Sequence, residues 1–122
     1  MEKLTKQEED IMQAIWQTGE GSVKSFLEVM EPPRPPYTTA ASTVKNLEKK
    51  GYVSSRLVGN TYLYTPEISE EDYKQKFMQG FVQHYFNNSY KEMVNFFVDS
   101  KKLKPQELKE IIDMIEGKNK TK

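Results

Sequence analysis

The sequence predicts a mainly α chain with a small β-wing. A winged helix-turn-helix over residues 1–66 is followed by a C-terminal dimerisation region of three helices over residues 67–122. Three observations carry this. A short helix with hydroxyl and basic side chains on one face stops at Lys49-Lys50-Gly51. Two alternating apolar stretches then flank Gly59-Asn60, as in a hairpin. After Pro66 the composition turns to acids and aromatics at helical spacing.

The elements follow in order. Thr5 and Glu8 form a Thr-x-x-Glu capping box that opens a helix over Lys6–Thr18, with Ile11, Met12, Ile15 and Trp16 as its apolar stripe. Ser22 opens a second helix with Val23, Phe26, Leu27 and Met30 facing inward, stopping near Glu31. The run Pro32-Pro33-Arg34-Pro35-Pro36 cannot continue it. That run reads as a stiff connector rather than a ligand for a proline-binding partner. A third helix starts near Tyr37, capped by Thr38 or Thr39, and buries Ala40, Val44 and Leu47. Gly51 supplies the left-handed residue that ends it. Strands over Tyr52–Val58 and Thr61–Thr65 make the wing. Ser69 and the acids Glu70, Glu71 and Asp72 start a helix reaching about Asn87. Ser89 with Glu92 caps the next helix, and Pro105 opens the last, which Gly117 closes before a polar, frayed tail from Lys118.

Composition narrows the function. The 122 residues are 36% hydrophobic and 30% charged, too lean for a large monomeric core. Net charge is zero but unevenly spread. Residues 1–31 hold seven acids against Lys3, Lys6 and Lys24, whereas residues 32–60 hold Arg34, Lys45, Lys49, Lys50 and Arg56 against Glu48 alone. Positive potential thus falls on the third helix and the wing, where phosphates would attract it. The chain has no cysteine, no signal-peptide core and no apolar run that could span a bilayer, so a cytoplasmic location without membrane insertion is expected. No nucleophile sits with a base, no phosphate loop or metal triad occurs, and no catalytic residue, metal or cofactor is expected. His84 lies among Phe81, Val82, Tyr85 and Phe86 without a companion ligand, and Trp16 stands on the stripe of Met12 and Ile15; both read as structural.

Double-stranded DNA is the expected partner. Lys45, Lys49 and Arg56 are placed for phosphates, and Thr39, Ser42 and Asn46 for base edges, with Thr38, Thr43, Asn60 and Tyr62 completing the candidate contact set. The second region is too short and too aromatic to hide its rings alone. Tyr73, Phe77, Phe81, Tyr85, Phe96, Phe97, Ile111 and Ile115 are therefore expected at a homodimer interface. Two other functions fit the same elements. One is a winged helix used for protein docking, which the polar face of the third helix disfavours. The other is a ligand-sensing subunit with an aromatic pocket, although dimer burial accounts for the same stripe.

The motifs Thr5-x-x-Glu8 through Ile15-Trp16, Tyr37-Thr38-Thr39 to Leu47-x-x-Lys50-Gly51, Tyr62-x-Tyr64-Thr65-Pro66 and Ser69-x-x-Asp72-Tyr73 occur in this order. In that order and spacing the chain resembles the penicillinase-repressor family. The resemblance implies a dimeric repressor on a palindromic operator, tied to antibiotic-resistance genes and derepressed through a membrane metalloprotease sensor. The family's copper-responsive branch uses cysteines that this chain lacks. The family wing often carries Gly-Arg where Gly59-Asn60 stands here, with Arg56 as the substitute cation. The resemblance also implies cleavage in the penultimate helix at an Asn-Phe bond. Counting from Leu103 places it at Phe96-Phe97, and the Asn-Phe pair of this chain is Asn95-Phe96, one residue earlier.

Overall fold

A computed structural model of the chain describes residues 2–117, so the tail expected from Lys118 lies outside the described residues. The backbone forms two compact units, Met1–Lys74 and Gln75–Lys122.

In the first unit, α1 (Lys6–Thr18) begins with the expected reciprocal cap. Glu8 N–H donates to Thr5 Oγ1 at 3.1 Å, and Thr5 N–H donates to Glu8 Oε1 at 2.8 Å. Its stripe of Ile11, Met12, Ala14 and Ile15 is buried. Ser22 caps the short α2 (Val23–Val29), which ends where Met30 turns extended. The third helix, α3 (Tyr37–Lys49), corrects the expected cap. Pro36 precedes it with φ −60° and ψ 154°, and no side chain caps the end. The proline ring sets the entry angle and its carbonyl accepts the Ala40 N–H at 2.9 Å, so the helix starts at Tyr37 and Thr38 and Thr39 lie within its first turn.

The wing pairs β1 (Val53–Val58) with β2 (Thr61–Pro66), antiparallel, with Val58 opposite Thr61 and Val53 opposite Pro66. Gly59 has φ 62° whereas Asn60 keeps a negative φ, the pattern of a two-residue turn with glycine first. A rung absent from the sequence reading extends this ribbon. Gly21 N–H donates to the Tyr64 carbonyl at 3.0 Å, and Tyr64 N–H returns a bond of 2.7 Å. A Cβ on Gly21 would sit 2.5 Å from Ser25 Oγ and 2.9 Å from the Phe26 ring, so only glycine lets the loop approach this closely.

The core lies among α1, α2, α3 and the base of the wing, with Met12, Ile15, Phe26, Val44 and Leu47 almost fully covered. It continues past Pro66. Trp16 Nε1 donates to the Ile68 carbonyl at 2.8 Å, its ring lies 5.5 Å from that of Tyr73, and the Tyr73 hydroxyl donates to Glu9 at 2.6 Å. These contacts hold the segment after the wing within the first unit as far as Lys74. Burial first, then the Glu9 carboxylate, pushes the Tyr73 hydroxyl well above the usual phenol range.

The helix α4 (Glu70–Phe86) supplies its remaining turns to the second unit, with α5 (Tyr90–Asp99) and α6 (Pro105–Ile115). Phe81 lies tilted against Tyr85 and Phe86, and Phe86 meets Phe96 at 5.8 Å. Among the described residues of this unit, Val82 is the one fully buried apolar side chain.

Two helices end in the same motif with different residues at its left-handed position. After α3, Tyr52 N–H donates to the Leu47 carbonyl and Gly51 takes φ 86°; after α5, Lys102 N–H donates to the Phe97 carbonyl and Lys101 takes φ 60°. A Cβ disfavours this conformation by about 1 kcal/mol or more. Lys101→Gly should therefore stabilise the chain by about 1 kcal/mol, and Gly51→Ala should destabilise it by about as much. Urea melts of the two variants check both signs.

Candidate nucleic-acid interface

One face of α3 is turned to solvent. Thr38, Ser42, Lys45, Asn46 and Lys49 are exposed along it and Thr39 is half-buried at its edge. Ser42 Oγ donates to the Thr39 carbonyl at 3.1 Å, which leaves its lone pairs facing outward. Thr43 is not part of this face. It is 5% exposed, and its hydroxyl donates to the Thr39 carbonyl at 2.8 Å. Position 43 follows Ala40 by three residues, so helical geometry turns it inward with that residue.

The five cations of residues 32–60 divide sharply. Lys50 Nζ binds Glu8 Oε1 at 2.7 Å and the Lys3 carbonyl at 3.1 Å, both sides of the pair being largely buried. Arg56 grips Glu20 with two bonds of 2.8 Å, and Thr65 donates to the same carboxylate at 3.1 Å. Arg34 donates to the Met30 carbonyl at 2.7 Å and, more weakly, to that of Glu28. Lys45 and Lys49 remain, both on the open face of α3 and without an ion pair among the described residues.

The carboxylates that hold these cations are shifted by them. Burial pushes the Glu8 carboxyl up, but the bonds from Lys50 and Thr5 together outweigh it, and the group titrates below its usual range. The hydrogen bond from Arg56 brings Glu20 down to about 2 against a modest desolvation, with Thr65 adding to the pull.

The ribbon separates the wing residues expected to act together. Arg56 stands opposite Leu63, whereas Tyr62 stands opposite Leu57, so Arg56 and Tyr62 point to opposite faces. Asn60 lies exposed at the tip. Local reading could not reveal the Glu20 partner, 36 positions before Arg56. Glu8 did carry a signal: it shares the stripe of Ile11, Met12 and Ile15, and a buried carboxylate demands a cation.

No cluster of three or more His, Cys, Asp and Glu side chains that could hold a metal occurs among the described residues, and none of their helices is long and apolar enough to cross a membrane.

Comparison with known proteins decides the family. The model of the penicillinase repressor family matches residues 4–117. The chain belongs to this family. Its members are DNA-binding transcriptional repressors rather than enzymes. A penicillinase repressor of Bacillus licheniformis is 26% identical over 98% of this chain and 95% of its own length. One of Staphylococcus aureus is 25% identical over 93% and 90%. A solved structure of TrmBL2, described as an archaeal chromatin protein with a novel mode of DNA binding, aligns at 23% identity and a TM-score of 0.49. It covers 98% of this chain and 42% of that one. At that score, the winged-helix assignment of this repressor rests on its own helices and ribbon.

The Glu20 shift fixes a pH dependence. The folded value of about 2 lies below the ordinary 4.5, so the contribution is complete above 4.5 and is lost as pH falls through about 2. Glu20→Gln should lower the Tm of the repressor at neutral pH, and the gap should close between pH 4.5 and 2. Paired thermal melts across that range read it.

Proposed function

We propose that the chain represses transcription as a two-fold dimer on a palindromic operator. Each α3 lies in a major groove and the two sit about one DNA turn, roughly 34 Å, apart or at a multiple of it. The observation that carries the DNA-reading face is the division of cations. Arg34, Lys50 and Arg56 are engaged by carbonyls and carboxylates of the chain itself, and Lys45 and Lys49 stand on the face that also presents Ser42 and Asn46. Lys45 and Lys49 neutralise phosphates, and Thr39, Ser42 and Asn46 reach base edges, with Thr38 and the wing residues Asn60 and Tyr62 alongside.

The second unit supports the dimer. Tyr85 is 67% exposed, Phe96 56% and Ile115 78%, on a unit that buries little apolar surface by itself. A second copy covering these side chains, with Phe77, Phe81, Phe97 and Ile111 beside them, removes them from water and doubles the DNA contacts. Tyr73, expected in the same interface, instead packs against Trp16 and Glu9 in the first unit. Derepression through a membrane metalloprotease sensor, which the family resemblance implies, is compatible with the same architecture. Asn95, Phe96 and Phe97 lie within α5, so that helix opens locally before a protease cuts it. The cut frees α6 and each reader loses the tether that supplied its effective concentration.

Lys49→Ala should weaken operator and random duplex together and flatten the salt slope by about one unit. Asn46→Ala should instead lower the operator-to-random ratio by about 1–3 kcal/mol at one position per half-site, using an operator selected from random duplexes. An unchanged ratio would remove Asn46 from base reading. In sedimentation the parent chain should be a dimer at micromolar concentration, and Phe81→Asp should shift it towards monomer. A fragment ending at Asn95 should sediment as monomer and bind operator far more weakly than the full chain. Full dimerisation and affinity of that fragment would sink proteolytic control.

A further inference from the structure

The wing is where this repressor's own residues say more than its family does. We infer that it meets DNA through an uncharged pair, Leu57 and Tyr62, packed against the deoxyribose backbone, and not through Arg56. This rests on the reading of α3 as the DNA-binding helix and adds a second contact of different physical character.

The ribbon register sets the geometry. Leu57 stands opposite Tyr62, so the two side chains share a face with Val53, Ser55, Tyr64 and Pro66. Val53 and Tyr64 enter the core, and Ser55 Oγ donates to Glu48 of α3 at 2.6 Å. That face therefore looks towards α3. Leu57 and Tyr62 continue it beyond the core, 59% and 52% exposed. Arg56 lies on the other face, in its bidentate pair with Glu20. Freeing it would sacrifice two charge-assisted bonds, and its side chain would still leave from the wrong side of the ribbon.

The occupant follows from continuity with α3. A duplex held by Lys45 and Lys49 brings its backbone alongside that helix, and the wing face turned to α3 then meets sugar and groove wall. Deoxyribose edges accept apolar contact, and the Tyr62 ring offers a flat face with a hydroxyl at its margin. Such contacts release no counterions, so they add affinity without adding salt dependence.

Salt titrations of the full chain on a random-sequence duplex separate these terms. Leu57→Ser and Tyr62→Ser should each weaken binding roughly fivefold, as loss of partial burial of one apolar side chain gives, at every salt concentration and with parallel slopes. Tyr62→Phe should bind as the parent does. Serine variants that bind like the parent would overturn the inference. So would a slope flattened by Tyr62→Ser, a Tyr62→Phe loss as large as that of serine, or serine variants whose only defect is a shift to monomer in sedimentation. The α3 reading has its own control: if Lys49→Ala leaves the slope unchanged, that reading fails whatever the wing variants do. Both wing positions are exposed, and thermal melts matching the parent exclude misfolding as the cause of any loss.

Discussion

The carboxylate of Glu8 serves two ends of the first unit at once. It accepts the Thr5 N–H that opens α1 and the Lys50 ammonium that closes α3, joining residues 42 positions apart. Lys50 passes a further bond to the Lys3 carbonyl, and Tyr52 next to it donates its hydroxyl to the Glu2 carbonyl at 2.5 Å. Glu2 and Lys3 are thereby fastened beside the end of α3. A buried ion pair gains little over apolar packing, but losing one partner strands the other at a cost of about 3–5 kcal/mol. Its value lies in geometry. The pair joins the start of α1 to the end of α3, whose orientation Ala40, Val44 and Leu47 also set by packing on the core.

That arrangement explains how a chain of zero net charge can hold DNA. The acids of residues 1–31 include the counterparts of cations that follow: Glu8 takes Lys50 and Glu20 takes Arg56. Each pairing removes a positive charge from the general surface. What remains on the open face of α3 is Lys45 and Lys49, interleaved with Ser42 and Asn46. A large basic field would attract any duplex equally, whereas two cations beside hydrogen-bonding side chains leave more of the affinity to direct readout. On the proposed reading of α3, economy of positive charge favours discrimination over raw binding.

The local signals were legible because the physics behind them is local. The Thr5–Glu8 box, the left-handed Gly51 and the hairpin at Gly59-Asn60 each depend on residues within a few positions. The register of the wing was in reach too, since a two-residue turn sets Val58 opposite Thr61 and Leu57 opposite Tyr62. Applying that alternation separates Arg56 from Tyr62. Thr43 was misplaced because its hydroxyl suggested a contact whereas its helical position, three after Ala40, turned it inward. The Glu20–Arg56 pair and the Gly21–Tyr64 rung were not readable, because nothing periodic links the α1–α2 loop to the wing.

The two units solve opposite surface problems. In the first, polar groups are drawn together and satisfied: Trp16 on the Ile68 carbonyl, Tyr73 on Glu9 and Ser55 on Glu48. In the second, aromatic side chains touch one another yet stay open to water, as with Phe86 against Phe96 and Phe81 against Tyr85. Ring pairs of this kind contribute on the order of 1 kcal/mol each, too little to offset exposure of the remaining surface. A monomer of this composition is therefore short of core only in its second half. The proposed coupling of association to DNA affinity rests on that imbalance. α5 belongs to the second unit, whereas the Glu8–Lys50 pair lies wholly within the first. In the proposed dimer, losing the partner copy would weaken the hold on DNA while leaving the exposed face of α3 as it is.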